Sequence, residues 1–399
     1  MKRTVLSHAL LACLLLAPAS QASTLDAQAL ARDAIIVDTH IDAPTVLLSR
    51  WADLGQAAPD REFDHPRAKA GGLDVAFMSI YTSAAQDADD SAWGVANQMI
   101  DAVEALAHRH PGKFALARSP DDVAQAVAEG RVVLALGMEN GAPVGEDIGQ
   151  LRFFFDRGVR YITLAHGDNN ALADSAYAAQ PRWNGLSPFG REAVAEMNRL
   201  GMMVDVSHLS DAAARQAIEL SRAPVVATHS AFRHFTPGFA RNIADAEALA
   251  LARKGGVVQV PFGTPFVDPQ AAAETAAYFV ARAEHDRRVA ELRAQGKPLP
   301  AEDFDAAWDA AHPPRSVPLD RVLDQVDYGV KLLGIDHVGI GSDFDGVGGA
   351  LPENLRSVAD YPRLVEGLAA RGYSEQDIRK ILGGNLLRAW RAVQDAAAP

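Results

Sequence analysis

Eight short apolar runs, rich in β-branched residues, recur along this chain with helix-like stretches between them. They fall at 35–38, 73–80, 132–138, 159–165, 202–206, 224–228, 257–260 and 337–341. Most are continuous rather than alternating, the pattern of strands buried on both faces of a parallel sheet. The segments between them open on helix starts. Ser119-Pro120-Asp121-Asp122 offers an N-cap, a proline and first-turn acids, and Ser187-Pro188, Ser210-Asp211 and Ser374-Glu375 repeat the theme. Eight strands alternating with helices over 399 residues close most economically into a (β/α)8 barrel. An open doubly wound sheet competes, but no phosphate-binding glycine fingerprint follows the first run. Residues 264–318 make a long excursion before the eighth run. Its middle, 270–295, reads as a charged, Ala-rich amphipathic helix, and the whole as an elaborated loop or lid over the barrel top. Residues 373–396 read as a closing helix.

The first 22 residues do not belong to this pattern. Lys2 and Arg3, the apolar run 9–17 and "PASQAST" give the charged, apolar, small-residue order of a secretory signal peptide, with cleavage expected after Ala22. The expected mature chain, 23–399, is a single domain, exported to the periplasm or secreted. The run is short for a membrane span, so no stable membrane insertion is expected once it is removed. Cleavage would take away Lys2 and Arg3, leaving 36 basic against 51 acidic residues, a net charge of −15 in place of −13. An acidic chain of this kind argues against nucleic acid as its main partner. The one cysteine, Cys13, lies in this leader; lipidation there fits the surrounding "LLAC" poorly. The mature chain would then have no thiol, and any metal site must use nitrogen and oxygen ligands.

Polar residues collect at the carboxyl ends of the runs. The first ends in His40 and Asp42, the third in Glu139, the fourth in His166, the fifth in His208, the sixth in His229 and the eighth in Asp343. His40 and Asp42, two apart on a strand, are read as a same-face pair, with Asp38 turned elsewhere and structural. In a barrel all these ends meet at one mouth, where active sites of this fold sit. Singly, each has a plain structural reading as a strand-end, capping or solvated residue. Together they suit Zn²⁺ or a similar divalent ion. Two ions sharing a carboxylate is a sensible count, since such pairs, about 3.5–4 Å apart, generate a nucleophile and polarise an electrophile. His65, His108, His110, His234, His285 and His312 are placed on loops or helix surfaces, and His337 at the wrong end of its strand.

Seven stretches, "VDTHIDAP" (37–44), "GMENG" (137–141), "YITLAHGDNNALADS" (161–175), "DVSHLS" (205–210), "PVVATHS" (224–230), "ARNIAD" (240–245) and "HVGIGSDFDGV" (337–347), resemble membrane (renal-type) dipeptidase motifs in that family's order. "GGNLLRAW" (383–390) is similar to its C-terminal signature. The resemblance implies a dinuclear zinc peptidase of the amidohydrolase superfamily, cleaving unblocked dipeptides through a metal-bridging hydroxide and tolerating a D-residue at the C-terminal position. It implies one zinc on His40, Asp42 and Glu139, and another on Glu139, His208 and His229. His166 would meet the substrate carbonyl, Arg241 the terminal carboxylate, and Asp343 would position the water and pass its proton to the departing amine. Homodimerisation is implied by resemblance alone. Asn140 and Thr39 stand where the family often carries glycine, and both are expected to reshape the pocket floor. Two other readings stay open. One is a different amidohydrolase-type reaction at the same metals, on a lactam, cyclic amide or ester; the other is a non-catalytic exported binding protein.

Overall fold

Each apolar run is a strand, and every strand pairing is parallel. The strands are β1 Ile36–Ile41, β2 Leu73–Tyr81, β3 Phe114–Leu116, β4 Val132–Glu139, β5 Val159–Thr163, β6 Met203–Asp205, β7 Val225–Ala227, β8 Val257–Val260 and β9 Val338–Ile340. Eight of them run in the order β1-β2-β4-β5-β6-β7-β8-β9, and β3, which the sequence reading lacked, pairs only with the start of β4. The β1–β9 seam is joined just beyond the strand ends, where Asp343 N donates to His40 O at 3.0 Å and Asp42 N to Phe344 O at 2.8 Å. This nearly closed ring, with helices packed outside, is a (β/α)8 barrel. The computed structural model describes residues 26–301 and 303–397, so the expected leader and Cys13 lie outside the described residues. Among the described residues no helix is long and apolar enough to cross a membrane.

The helix starts follow from local hydrogen bonding. Ser119, Ser187, Ser210 and Ser374 each accept a backbone N–H of the first turn, from Asp122, Gly190, Ala213 and Asp377. Such caps contribute about 1 kcal/mol each. Inside the barrel, Val37, Val75, Phe77, Val133, Ala135 and Tyr161 pack with Trp390 and Val393 of the last helix. That helix, Asn385–Asp395, continues Glu375–Arg379 through a π-helical turn, Lys380–Gly384. The turn meets the strand starts: a Cβ on Gly383 would lie 2.5 Å from Ile35 O, and Asn385 Nδ2 donates to Ile335 O and Val338 O. The chain end thus covers the amino-terminal end of the barrel and leaves the opposite mouth to the polar strand ends.

The excursion holds three helices, Thr264–Val267, Pro269–Ala294 and Phe304–Ala311. The long one starts on Asp268, whose carboxylate accepts from Gln270 N and Ala271 N. It buries only Ala271 and Ala272 fully, as expected of a lid helix rather than a core element. It lies across the mouth, where Thr275 and Phe279, one turn apart, line the cleft.

Candidate active site

Strict alternation would put Asp38, His40 and Asp42 on one face of β1. The structure breaks that alternation. The β1–β2 register shifts between Asp38 and Ile41, and Asp42 lies past the strand at the start of the helix Ala43–Ser49. Asp38 accepts from Ser342 N, His40 N and the Tyr361 hydroxyl, and takes no part in the cluster. His40 and Asp42 do come together, with Nε2 3.4 Å from Asp42 Oδ2, through the irregularity rather than through the pleat.

Glu139, at the end of β4, is the hub. Its Oε2 lies 3.3 Å from His40 Nε2, and its Oε1 3.0 Å from His208 Nε2, 3.2 Å from His229 Nε2 and 3.5 Å from His166 Nε2. Ser79 of β2 donates to Oε2 at 3.2 Å. Three sets of ligand-type atoms each converge within 4.8 Å: His40, Glu139 and His229; Glu139, His166 and His208; His40, Asp42 and Asp343. These groupings cut across the two triplets implied by resemblance, with Glu139 common to two of them. Burial by itself would raise the Glu139 carboxyl, but the surrounding imidazoles, His40 and His166 foremost, hold it well below the usual carboxylate range.

The ring tautomers follow from chains of donors. Tyr161 Oη donates to Thr39 O at 2.9 Å, so it accepts from His40 Nδ1–H at 3.0 Å. Thr228 Oγ1 donates to Asp205 Oδ2 at 2.6 Å, so it accepts from His229 Nδ1–H at 2.9 Å. Each ring therefore turns an Nε2 lone pair toward Glu139. A lone pair set about 3.3 Å from a carboxylate is repulsive unless a proton or cation lies between them. Burial holds His229 and His208 well below the ordinary histidine range, which keeps both neutral. His40 is also disfavoured by burial, but Tyr161, Glu139 and Asp42 push it well above that range, so this position calls for positive charge. His40 Nε2, His166 Nδ1 and His208 Nδ1 are buried without a hydrogen-bond partner. All-N/O donors, fixed tautomers and orphaned nitrogens fit divalent metal ions.

Asp343, with a left-handed φ of 68°, faces Asp42. Burial first, then Asp42 and Glu139, lift its carboxyl well above the usual range, so it takes up a proton more readily than an ordinary carboxylate. Gly346 makes that approach feasible, since a Cβ there would lie 2.3 Å from Asp42 Oδ2 and 2.5 Å from Asp343 Oδ1. Arg241 sits behind His208 rather than on the cleft wall. Its Nη2 donates to His229 O and His208 Nε2, its Nη1 to Ser230 Oγ, and its buried Nε has no partner. Neither Asn140 nor Thr39 forms pocket floor. Asn140 donates to Thr82 O and accepts from Asn170, tying strand-end loops together, while Thr39 donates to Thr228 O across the barrel. The cleft, about 300 Å³, also has walls the sequence reading did not name: Tyr81, Tyr177, Phe266 and Phe279. Tyr81 closes the β2 run and so follows the strand-end rule, but as an aromatic it carried no ligand signal.

Comparison with known proteins agrees with this geometry. The model of the membrane dipeptidase family (Peptidase family M19) matches residues 25–399. Dipeptidase tcpJ of Claviceps purpurea (strain 20.1) is 30% identical over 342 residues, 84% of this chain and 70% of that protein. Among solved structures, the probable dipeptidase PvdM from Pseudomonas aeruginosa superposes with a TM-score of 0.79 at 29% identity, covering 93% of this chain and 98% of that one. A metallo peptidase from Rhodobacter sphaeroides, liganded with a phosphinate mimic of the dipeptide L-Ala-D-Ala, gives 0.73 at 26% identity, covering 90% and 100%. A match over nearly the full length, around a mouth built from imidazoles and carboxylates, makes this chain a metal-dependent peptide-bond hydrolase, and it belongs to the membrane dipeptidase family, M19.

Proposed function

We propose that the chain is a dinuclear zinc dipeptidase acting on unblocked dipeptides, with a D-residue accepted at the C-terminal position. The reading rests above all on the tautomers: two imidazoles locked by Tyr161 and Thr228 aim lone pairs at one carboxylate. His40, Asp42, Glu139, His208 and His229 would hold the two ions, with Glu139 shared between them. Ions held there would supply a nucleophilic water at neutral pH and polarise the scissile carbonyl. The remaining tasks fall to the chain's own groups. His166 lies 3.5 Å from Glu139 Oε1 at the cleft wall, where its ring can donate to the oxygen that gains charge in the transition state. Asp343 exchanges a proton at its carboxyl, taking one from the attacking water and giving one to the leaving nitrogen. Arg241 would grip the terminal carboxylate, a task suited to a planar guanidinium. His208 Nε2 now accepts from Arg241 Nη2; were it to hold an ion, that N–H would be left for the substrate's carboxylate.

The apolar leader supports export, and acceptance of a D-residue is an extension from the phosphinate-bound relative's ligand. One experiment tests the whole reading. Metal content is measured on the purified mature protein, which is then assayed on a dipeptide library varying chirality at each position. About two zinc equivalents and chelator-reversible turnover are expected. Full metal content with no turnover of any dipeptide would refute it.

A further inference from the structure

The catalytic cleft does not end at His166. Beyond it lies a second chamber of about 450 Å³, larger than the cleft's about 300 Å³. The two share a doorway of four rings, Tyr81, His166, Tyr177 and Phe279. Tyr81 meets His166 edge-on at 4.7 Å, and Tyr177 stacks on Phe279 at 3.7 Å with 17° between the planes. Phe279 belongs to the excursion helix Pro269–Ala294, which also supplies Tyr278, Arg282 and Ala283 to the chamber roof. The opposite wall is the loop after β5, including Ala178 and Ala179. Aromatic rings and alanines make up most of the lining, with Ser83, Asp168, Gln180 and Asp286 among its polar residues. Arg282 stands farther along the roof, its charge taken up by Asp286 and Asp305. Such a chamber favours a large, mainly apolar group over a charged one.

Two small residues already fit a cleft of this size, so the chamber offers room they do not need. Which end of the substrate it serves follows from the charges. Asp42, Asp343 and Asp345 crowd the cleft, whereas the chamber has Asp168 and an Asp286 already paired with Arg282, and Tyr177 at the doorway is near enough to Arg241 to feel its charge. Taking Arg241 as the carboxylate's partner, the residue that carries the carboxylate lies nearest the doorway.

We propose that the excursion helix and the loop after β5 form a specificity chamber, entered past Tyr177 and Phe279, that accepts a bulky aromatic side chain on the substrate's C-terminal residue. This rests on the dipeptidase reading and adds a substrate class to it. The test uses metal-loaded mature protein with L-Ala-L-Ala, L-Ala-L-Trp and L-Trp-L-Ala. Ala283→Trp fills the chamber from the exposed helix, and Ala178→Trp fills it from the opposite wall should one variant fold poorly. The wild type should cleave L-Ala-L-Trp with a kcat/KM at least equal to that for L-Ala-L-Ala. The substitutions should lower kcat/KM for L-Ala-L-Trp at least tenfold, mainly through KM, and leave L-Ala-L-Ala within twofold and metal content unchanged. Parallel loss on all three substrates, no loss on any, or a selective loss on L-Trp-L-Ala would overturn the chamber assignment. A wild type that cleaves none of the three would instead refute the parent reading.

Discussion

A histidine binds metal through whichever ring nitrogen its neighbours leave free, so the groups behind the ligands fix the site as much as the ligands do. Tyr161 is the clearest case. Its ring lies directly over Gly137, where an added Cβ would sit 2.0 Å from Cζ and 2.4 Å from Oη. Gly137→Ala must push the phenol away from His40 Nδ1. The expected outcome is a stability loss of about 1–3 kcal/mol from overpacking. A fall of roughly 10–100-fold in metal affinity should accompany it, as when a ligand loses its outer partner. Urea unfolding and a chelator competition titration measure the two effects. Asp343→Asn should separate chemistry from binding, lowering kcat by about 10²–10⁴-fold while both metals stay bound. If metal is lost with activity, Asp343 is a ligand rather than a proton carrier. That these imidazoles and carboxylates gather at one mouth was legible in the sequence because each ends an apolar run. Tyr161 and Thr228 were not, because inside a strand an aromatic or a threonine reads as ordinary barrel filling. His40 and Asp42 were paired for a reason the structure corrects, since the pleat alone would have brought Asp38 with them.

At the scale of elements, strands buried on both faces announce themselves as unbroken β-branched runs, and all eight barrel strands were legible for that reason. The strand β3 was not, for Phe114-Ala115-Leu116 has no β-branched residue and is followed only by Ala117 before Arg118 ends the run. The excursion helix was found, with its bounds within one residue and its place over the barrel top, but its inward contacts were not legible because they are isolated aromatics rather than a stripe. The closing helix was visible as a periodic tail, though nothing local showed that Trp390 enters the barrel. There it is fully buried, 5.3 Å from Phe77. Trp390→Ala should cost about 3–5 kcal/mol by opening a cavity at the amino-terminal end. The mouth is built from the other end of the strands, so KM of the residual folded enzyme should stay unchanged. A shift in KM at constant metal content would show that the barrel floor and mouth are coupled.

Over the whole molecule, the mouth is held by long-range contacts that also make stability depend on pH. Glu62 and Asp345 are 283 residues apart, yet Glu62 Oε2 accepts from Asp345 N and Asp345 Oδ1 accepts from Glu62 N at 2.9 Å. They tie the segment after the first barrel helix to the loop that carries Asp343. Burial pushes the Glu62 carboxyl up to about 7 from its ordinary 4.5, and Asp345 up to about 6 from 3.8. Between 4.5 and about 7 the folded chain therefore holds a proton at Glu62 that the unfolded chain has released. Stability then falls as pH rises through that window. For this partly exposed group the loss is on the order of 1–2 kcal/mol after solvent screening. Glu62→Gln keeps a carbonyl oxygen for the Asp345 N–H and removes the titration. Measured as urea midpoints at pH 5 and pH 8, the wild type should lose more stability than the variant, and the variant should equal or exceed it at pH 8. Comparing the two proteins at each pH cancels the metal-linked part, which both share. Equal losses in the two proteins would mean that Glu62 ionises at its ordinary pH and that this tie is indifferent to its charge.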